Sequence, residues 1–561
     1  MKFEFEENRC VSIEQQELSG KVFLVGAGPS DPGLLTLKGK QVLESAEVVV
    51  YDALVGQGIL NMIPDSAETV NVGKRASHHT LPQEQISQLL VQKAKEGKRV
   101  VRLKGGDPFL FGRGGEEIEE LIAAGISFEV VPGVTSAFAV PAYQGIPVTH
   151  RDYCSSVHVI TGHKRNGMAL DIDFEALVRT KGTLVFLMGV SALGDICQGL
   201  LAAGIVPETP AALLMQGTTA HQRRIVATVA TLEDEVKRQG SCTPAIIVVG
   251  EVCSLSEQFS WMDKQPLAGV KVLLTRPKER SSETAAKLRE KGAEVLELPT
   301  ICTERIQKNE PFELALKRLG SYQWIVFTSP TGVRIFFEEM AAHGIDCRAL
   351  GAARFAVIGS GTKKELAKHG YYADLMPDIY DAAHLGRTLR NAVDPAKESR
   401  ILIPRAALGS PELLEELGDD LEIEDIPIYE TKYETSRFVD LQKEFSDGAI
   451  DYVMFTSAST VRGFAQAAAG IEYAKVQAVC IGKQTEAAAE ALGMKTYVAA
   501  EASIDSLVAC LCDIVTCVHP QRTPQCPCEV YSHIHTSVIR YIPGKSRFAW
   551  RSAFCTIPSS A

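Results

Sequence analysis

Residues 102–117, RLKGGDPFLFGRGGEE, concentrate the residue types that bind a small ligand. Gly105, Gly106, Gly112, Gly114 and Gly115 mark a backbone that must take positive φ or lie directly against a ligand. Asp107 follows the first glycine pair, so a carboxylate acceptor is expected where the backbone is cleared of side chains, as a ribose or ammonium group needs. Arg102, Lys104 and Arg113 bracket the loop with positive charge. The plain alternative is a Gly-rich surface turn with solvated charges.

Two further charged residues stand where chemistry collects in an α/β fold. Asp52 ends the apolar run EVVVYD, and Lys74 follows ETVNVG. Ligands gather at the carboxyl ends of strands in open sheets, so both are expected to project towards a cleft, although a lone strand-end charge is otherwise simply solvated. Thr135 and Ser136 in VVPGVTSA stand at a helix start, where hydroxyls ordinarily cap. His150, Arg151, His163, Lys164 and Arg165 supply cations for an anionic ligand, but no HxxxH or CxxC spacing accompanies them and no metal is expected.

These residues need strand, turn and helix units to place them. From Lys21 the pattern runs KVFLVGAG, a helix over 34–45, and a second strand, with a further helix expected over 116–124. Gly26 and Gly28 make a GxG, but Pro29, Ser30 and Asp31 occupy the place where a dinucleotide fold wants GxxG. A nucleotide-binding regulatory protein is the competing reading from that motif. Pattern fades over 263–269, where Pro266 and Gly269 suggest a linker.

An internal repeat follows. WIVFTSPTGVRIFF resembles YVMFTSASTVRGF, FAVIGSGTKKELAKHG resembles QAVCIGKQTEAAAEALG, and VLLTRP with VLELPTI pairs with ILIPRA and IEDIPIY. Two similar α/β lobes are implied. Each repeat ends a strand in Thr and Ser, so Thr328, Ser329, Thr456 and Ser457 sit at helix N-termini whose free N–H groups favour anions, with Gly359, Gly361 and Gly482 expected as turns. Ordinary capping is the alternative.

Composition sets the outer limits. The 561 residues allow three or four domain-sized units. A net charge of −11 argues against a nucleic-acid binder, which needs a basic face. No run of 18 apolar residues is present, so no membrane span is expected, and the acidic opening MKFEFEENRC does not read as a signal peptide. The 14 cysteines are scattered singly, as free thiols in a reducing cytoplasm would be. Residues 517–561 carry Cys517, Cys526, Cys528, Cys555, His519, His533 and His535 without zinc-knuckle spacing, and read as a disordered tail.

Over residues 21–262, VFLVGAGPSDPGLLTLKG, VVVYDALV, VNVGKRA, the 102–117 stretch, VVPGVTSAFAVPAYQGIPVTHRDY, VHVITGH, LVFLMGV, QGTTAHQR and PAIIVVGEV resemble the uroporphyrinogen-III C-methyltransferases, within the tetrapyrrole methyltransferases. The resemblance implies two α/β subdomains, a homodimer, and S-adenosyl-L-methionine held by Pro29, Gly105, Gly106, Asp107, Leu110, Thr135, Ser136, Met188 and Gly217. It implies Asp52 as proton acceptor and Lys74 as proton donor, with Arg151 among the basic residues that are candidates for the substrate's carboxylates. Ser30 stands where the family usually has Gly, and Ala53 where it usually has Arg.

Residues 270–516 resemble uroporphyrinogen-III synthase through shorter motifs. That resemblance implies one lobe of about 270–298 plus 430–515 and another of 300–428, with residues 1–20 as a lead outside both units. Tyr429 of IPIYET is implied to help the hydroxyl leave hydroxymethylbilane, and Thr485 to lie near the substrate. The joint expectation is an enzyme that closes hydroxymethylbilane to uroporphyrinogen III and methylates it twice to precorrin-2, for sirohaem or cobalamin. The alternative keeps the methyltransferase and makes the second half a non-catalytic tetrapyrrole-binding module.

Overall fold

The structure is a computed structural model that describes residues 20–73, 81–163, 170–275, 278–298, 300–393, 399–433 and 437–518. Lys74, Lys164, Arg165 and the tail from 519 onward therefore lie outside the described residues, as does all of 1–19.

Continuous apolar runs build the first sheet: β1 (Lys21–Gly26), β2 (Val48–Tyr51), β3 (Glu68–Asn71), β4 (Arg99–Lys104) and β5 (Ser127–Val131). Their order is β3-β2-β4-β1-β5, and every pairing is parallel. Such strands must be apolar on both faces because crossover helices cover both. Phe23, Val25, Val49, Val101 and Leu103 fill one face, and Val22, Leu24, Val48, Val50 and Val100 the other. The first crossover helix is Leu37–Glu44, shorter than 34–45, because Pro32–Leu34 forms a separate 3-10 turn and Thr36 caps the helix through Gly39 N–H. The second expected helix begins earlier, at Gly114–Ala123.

A second sheet holds β6 (Val157–Thr161), β7 (Thr183–Leu187), β8 (Pro210–Met215), β9 (Arg223–Thr228) and β10 (Ala245–Val249), in the order β6-β7-β10-β8-β9. Here β6 and β7 run parallel and the other pairs antiparallel. Helix Ser136–Tyr143 joins the sheets, and its Ala137 and Val140 pack into the core of the second with Leu110 alongside.

The strands β11 (Lys271–Leu274) and β12 (Glu294–Glu297) open a third sheet. The chain then leaves it for a fourth, built from β13 (Ile301–Arg305), β14 (Trp324–Phe327), β15 (Arg354–Val357), β16 (Arg400–Ala406) and β17 (Glu422–Tyr433). It returns with β18 (Tyr452–Phe455), β19 (Gln477–Cys480) and β20 (Lys495–Val498). The orders are β12-β11-β18-β19-β20 and β13-β17-β16-β14-β15. The repeat explains both: in each lobe the strand ending in Phe-Thr-Ser lies between an ILI- or VLL-type strand and the strand of the following repeat segment. The chain is thus α/β throughout.

Residues 263–269 do not hang free. Leu267 is fully buried in the core of the third sheet, and its N–H donates to Lys291 C=O at 2.8 Å. The last described helix, Ile504–Val518, includes Cys517. Among the described residues no helix is long and apolar enough to cross a membrane.

Candidate active site

Three glycines from three strand ends meet at the carboxyl edge of the first sheet. Gly28 and Gly106 bond each other in both directions, N–H to C=O at 3.1 and 2.9 Å. A Cβ on Gly26 would stand 2.5 Å from Gly133 Cα, and one on Gly133 would stand 2.2 Å from Gly106 C=O. Side chains are thereby excluded at Gly26 and Gly133 by backbone contact alone. Gly106 has φ of 69°, and the direction in which its Cβ would point is open.

Asp107 does not present a free carboxylate. Its Oδ1 accepts the N–H groups of Phe109 (2.8 Å) and Leu110 (3.2 Å), and Oδ2 accepts Gly133 N–H at 3.0 Å. It ties the loop to the turn after β5, so any ligand contact would have to use a remaining lone pair. Arg102 and Lys104 also differ from their expected role of bracketing the loop. Both are buried, because alternate residues of β4 share a face and that face looks onto Glu117 of the following helix. Arg113 alone is exposed, paired with Glu116.

Asp52 follows β2 directly, one quarter exposed, with Oδ2 at 4.0 Å from an Arg102 guanidinium nitrogen. Its Oδ1 accepts Leu54 N–H at 3.0 Å, and both oxygens are 3.4 Å from Gly105 N. The glycine edge and the carboxylate thus lie on adjacent strand ends. Ala53, directly after it, is exposed.

The opposite wall comes from the second sheet. β7 and β8 both run antiparallel to β10, so their carboxyl ends share one edge, which carries Met188 and Gly217. Met188 is half exposed, and a Cβ on Gly217 would meet Val140 of helix Ser136–Tyr143 at 2.3 Å. Thr135 caps that helix, accepting Ala137 N–H at 3.2 Å, with Ser136 half-buried beside it. The Thr218 hydroxyl donates to Pro29 C=O and closes the two walls at one end. Six non-glycine residues with positive φ line these loops: Ser30 (82°), Phe111 (54°), Arg113 (58°), Met188 (56°), Gln216 (45°) and Thr218 (67°). Strained backbone of this kind clusters where a binding surface fixes the chain. Ser30 takes the left-handed conformation that a glycine would adopt at no cost. Arg151 lies on an exposed turn.

A cavity of about 350 Å³ behind this cleft is shared with the third sheet, with Asp31, Tyr143 and Thr219 on one side and Lys271, Arg289 and Glu294 on the other. The Tyr143 hydroxyl donates to Asp31 at 2.7 Å, and burial followed by that carboxylate pushes its pKa up. Gln57 donates to Glu444, Asn61 to Glu297 C=O, and Ala220 N–H to Glu294, at 2.7 to 2.8 Å. Phe438 packs edge-on against Tyr51 at 6.0 Å. None of these contacts has a periodic signal in sequence.

In the second unit the Tyr429 hydroxyl lies 2.6 Å from Ser329 Oγ, which caps helix Pro330–Ala342 by accepting Gly332 N–H at 2.9 Å. Thr328 is half-buried beside it. Ser457 caps the equivalent helix, Ala458–Ala467, in a reciprocal box with Thr460, and Thr456 precedes it. Thr485 is buried in the first turn of helix Lys483–Glu490. Gly359 and Gly482 have φ of −176° and −175°, so they are extended helix caps and not the tight turns expected. Among the described residues no group of three or more His, Cys, Asp or Glu could hold a metal ion.

Fold and site together define a two-sheet ligand-binding α/β unit joined to a two-lobed α/β unit. The family model described as tetrapyrrole (corrin/porphyrin) methylases matches residues 21–233, and that described as uroporphyrinogen-III synthase HemD matches 282–509. A porphyrin biosynthesis protein HemD from Ruminiclostridium josui is 45% identical over 88% of this chain and 98% of its own. A uroporphyrinogen-III C-methyltransferase from Bacillus subtilis is 40% identical over 64% of this chain and 74% of its own. The solved uroporphyrin-III C-methyl transferase of Thermus thermophilus, complexed with S-adenyl homocysteine, is 39% identical over 42% of this chain and 99% of its own, with a TM-score of 0.37. The chain belongs to this family of fused proteins, a tetrapyrrole methylase followed by a uroporphyrinogen-III synthase of the HemD kind.

Proposed function

We propose that the first unit transfers methyl groups from S-adenosyl-L-methionine to uroporphyrinogen III, twice, giving precorrin-2, and that the second unit makes that substrate by closing hydroxymethylbilane. The observation that carries the reading is the side-chain-free edge at Gly26, Gly106 and Gly133 with the Asp52 carboxylate on the neighbouring strand end. The cleft fits the cofactor's chemistry: exposed backbone suits a polar amino-acid portion, while Leu110 and Met188 suit apolar contact.

S-adenosyl-L-methionine, when bound, supplies an electrophilic methyl group. A substrate pyrrole β-carbon accepts it, a C–C bond forms as the C–S bond breaks, and the pyrrole N–H becomes acidic. Asp52, held by two backbone N–H groups and faced by Arg102, accepts that proton. The cleft walls hold the substrate in register, and the exposed Arg151 is free to reach a substrate carboxylate.

In the second unit Tyr429 donates a hydrogen bond to the departing hydroxyl, which leaves as water while the ring closes. Thr328, Ser329, Thr456 and Ser457 mark helix N-termini that hold the substrate carboxylates. The test is transfer of labelled methyl from S-adenosyl-L-methionine to uroporphyrinogen III by the full chain. Two equivalents per macrocycle are expected; none would overturn the reading.

A further inference from the structure

Glu117 lies behind the catalytic edge and has no place in the mechanism above. Its side chain is 0% exposed, and one oxygen, Oε1, accepts from Arg102 Nε at 3.1 Å, Lys104 Nζ at 3.0 Å and Gln83 Nε2 at 2.9 Å. The other oxygen is buried with no partner among the described residues. Both cations crowd one oxygen.

The charge balance gives this arrangement a direction. Arg102 and Lys104 are 4% and 5% exposed, so the cluster buries two cations against one carboxylate. Burial and then the like charge of Arg102 push the Lys104 pKa below its usual range, while Glu117 and Asp52 oppose that shift. Buried charges need a counter-charge close by. Among the described residues the next anion is Asp52, 4.0 Å from Arg102. Among the described residues the charged groups near Asp52 are Arg102 and Lys104 from β4, with Glu117 behind them on helix Gly114–Ala123. The loops after β2 and β4 face it with the backbone N–H groups of Leu54 and Gly105. Among the described residues, Arg102 and Lys104 are balanced by Glu117 and an ionised Asp52.

We propose that Glu117 is a positioning residue for methyl transfer: it fixes Arg102 and Lys104 behind Asp52 and tempers the positive field in which Asp52 takes up its proton. With no negative charge at 117, the two cations hold the Asp52 proton affinity too low for an effective base. With no cation at 104, Arg102 alone opposes protonation and the affinity is left too high. The inference rests on Asp52 acting as the base, and the experiment separates the two claims.

The experiment is the pH–rate profile of methyl transfer by the full chain, with S-adenosylhomocysteine affinity measured alongside. Glu117→Gln keeps the shape and removes the charge. Its acid limb is expected to move down by about one pH unit, and its plateau rate to fall about tenfold to a hundredfold, with cofactor affinity within about twofold. Glu117→Asp is expected to return the limb towards its original position. Lys104→Met removes one cation and is expected to move the limb up by about one unit. A role confined to bracing β4 would not give shifts of opposite sign. An acid limb that stays in place in both variants overturns the proposal. If Glu117→Gln does not fold, Lys104→Met decides alone, an upward shift supporting the proposal and no shift overturning it. Asp52→Asn identifies the limb: one that persists in that variant shows that Asp52 is not the base, whatever the Glu117 variants do.

Discussion

The hydroxyls of Ser329 and Tyr429 meet at 2.6 Å, tying the cap of helix Pro330–Ala342 to β17, the strand that ends the fourth sheet before the chain returns to the third. One hydroxyl therefore both caps a helix and holds the phenol in place. Tyr429→Phe removes the donor and keeps the ring and its packing, at a stability cost of about 1 kcal/mol. Closure of hydroxymethylbilane is expected to slow about a hundredfold or more, with isomer III still the main product. Chromatography of the oxidised porphyrins gives rate and isomer together; an unchanged rate would remove Tyr429 from the chemistry.

Ser329→Ala with Ser457→Ala strips both lobes of their capping hydroxyls, at about 1 kcal/mol for each cap. If the two helix termini hold the substrate for inversion of its last ring, the isomer I fraction should rise in the double variant. An isomer ratio equal to that of the unaltered chain would leave both serines as simple caps.

Gly106 has φ of 69° and faces the open cleft, so Gly106→Val both strains the backbone, by about 1–3 kcal/mol, and fills the space proposed for the cofactor. Calorimetry should show S-adenosylhomocysteine binding lost while hydroxymethylbilane closure continues in the other unit. Retained affinity would place the cofactor elsewhere.

The sequence carried the α/β class, the glycine loop and the repeat because each is a local pattern: apolar runs, a Gly-rich turn, and Phe-Thr-Ser before a helix. It did not carry the orientation of Arg102 and Lys104. Two charges on one strand read as solvated until a partner is known, and Glu117 sits in a GGEE helix start where acidic residues are common for reasons of the helix dipole alone. The same limit hid Asp107, whose carboxylate is committed to three backbone N–H groups that no spacing rule exposes. The contacts of Gln57, Asn61 and Phe438 with the other unit depend on how two separately cored bodies dock.

Asp52→Asn keeps the shape and removes the proposed base. Methyl transfer should fall about two to four decades, with cofactor affinity nearly unchanged. Near-normal turnover would reduce Asp52 to a solvated strand-end charge.

Lys271 is buried between Glu294 at 3.3 Å and Glu444 at 3.1 Å, and Glu444 also takes the Gln57 amide. Glu444→Ala leaves the ammonium with one carboxylate in place of two and removes one bond between the units. Denaturant unfolding should show the synthase unit destabilised by about 1–3 kcal/mol, below the full cost of an unpaired buried charge because Glu294 remains. An unchanged midpoint would mean that Glu294 alone suffices.

The central claim is that one chain makes a macrocycle and then methylates it. Mass analysis of the products from hydroxymethylbilane, with and without S-adenosyl-L-methionine, tests it most directly. The account predicts uroporphyrinogen III without the cofactor and a doubly methylated product with it. Uroporphyrinogen I alone, or a product mass that does not change when the cofactor is added, would contradict it.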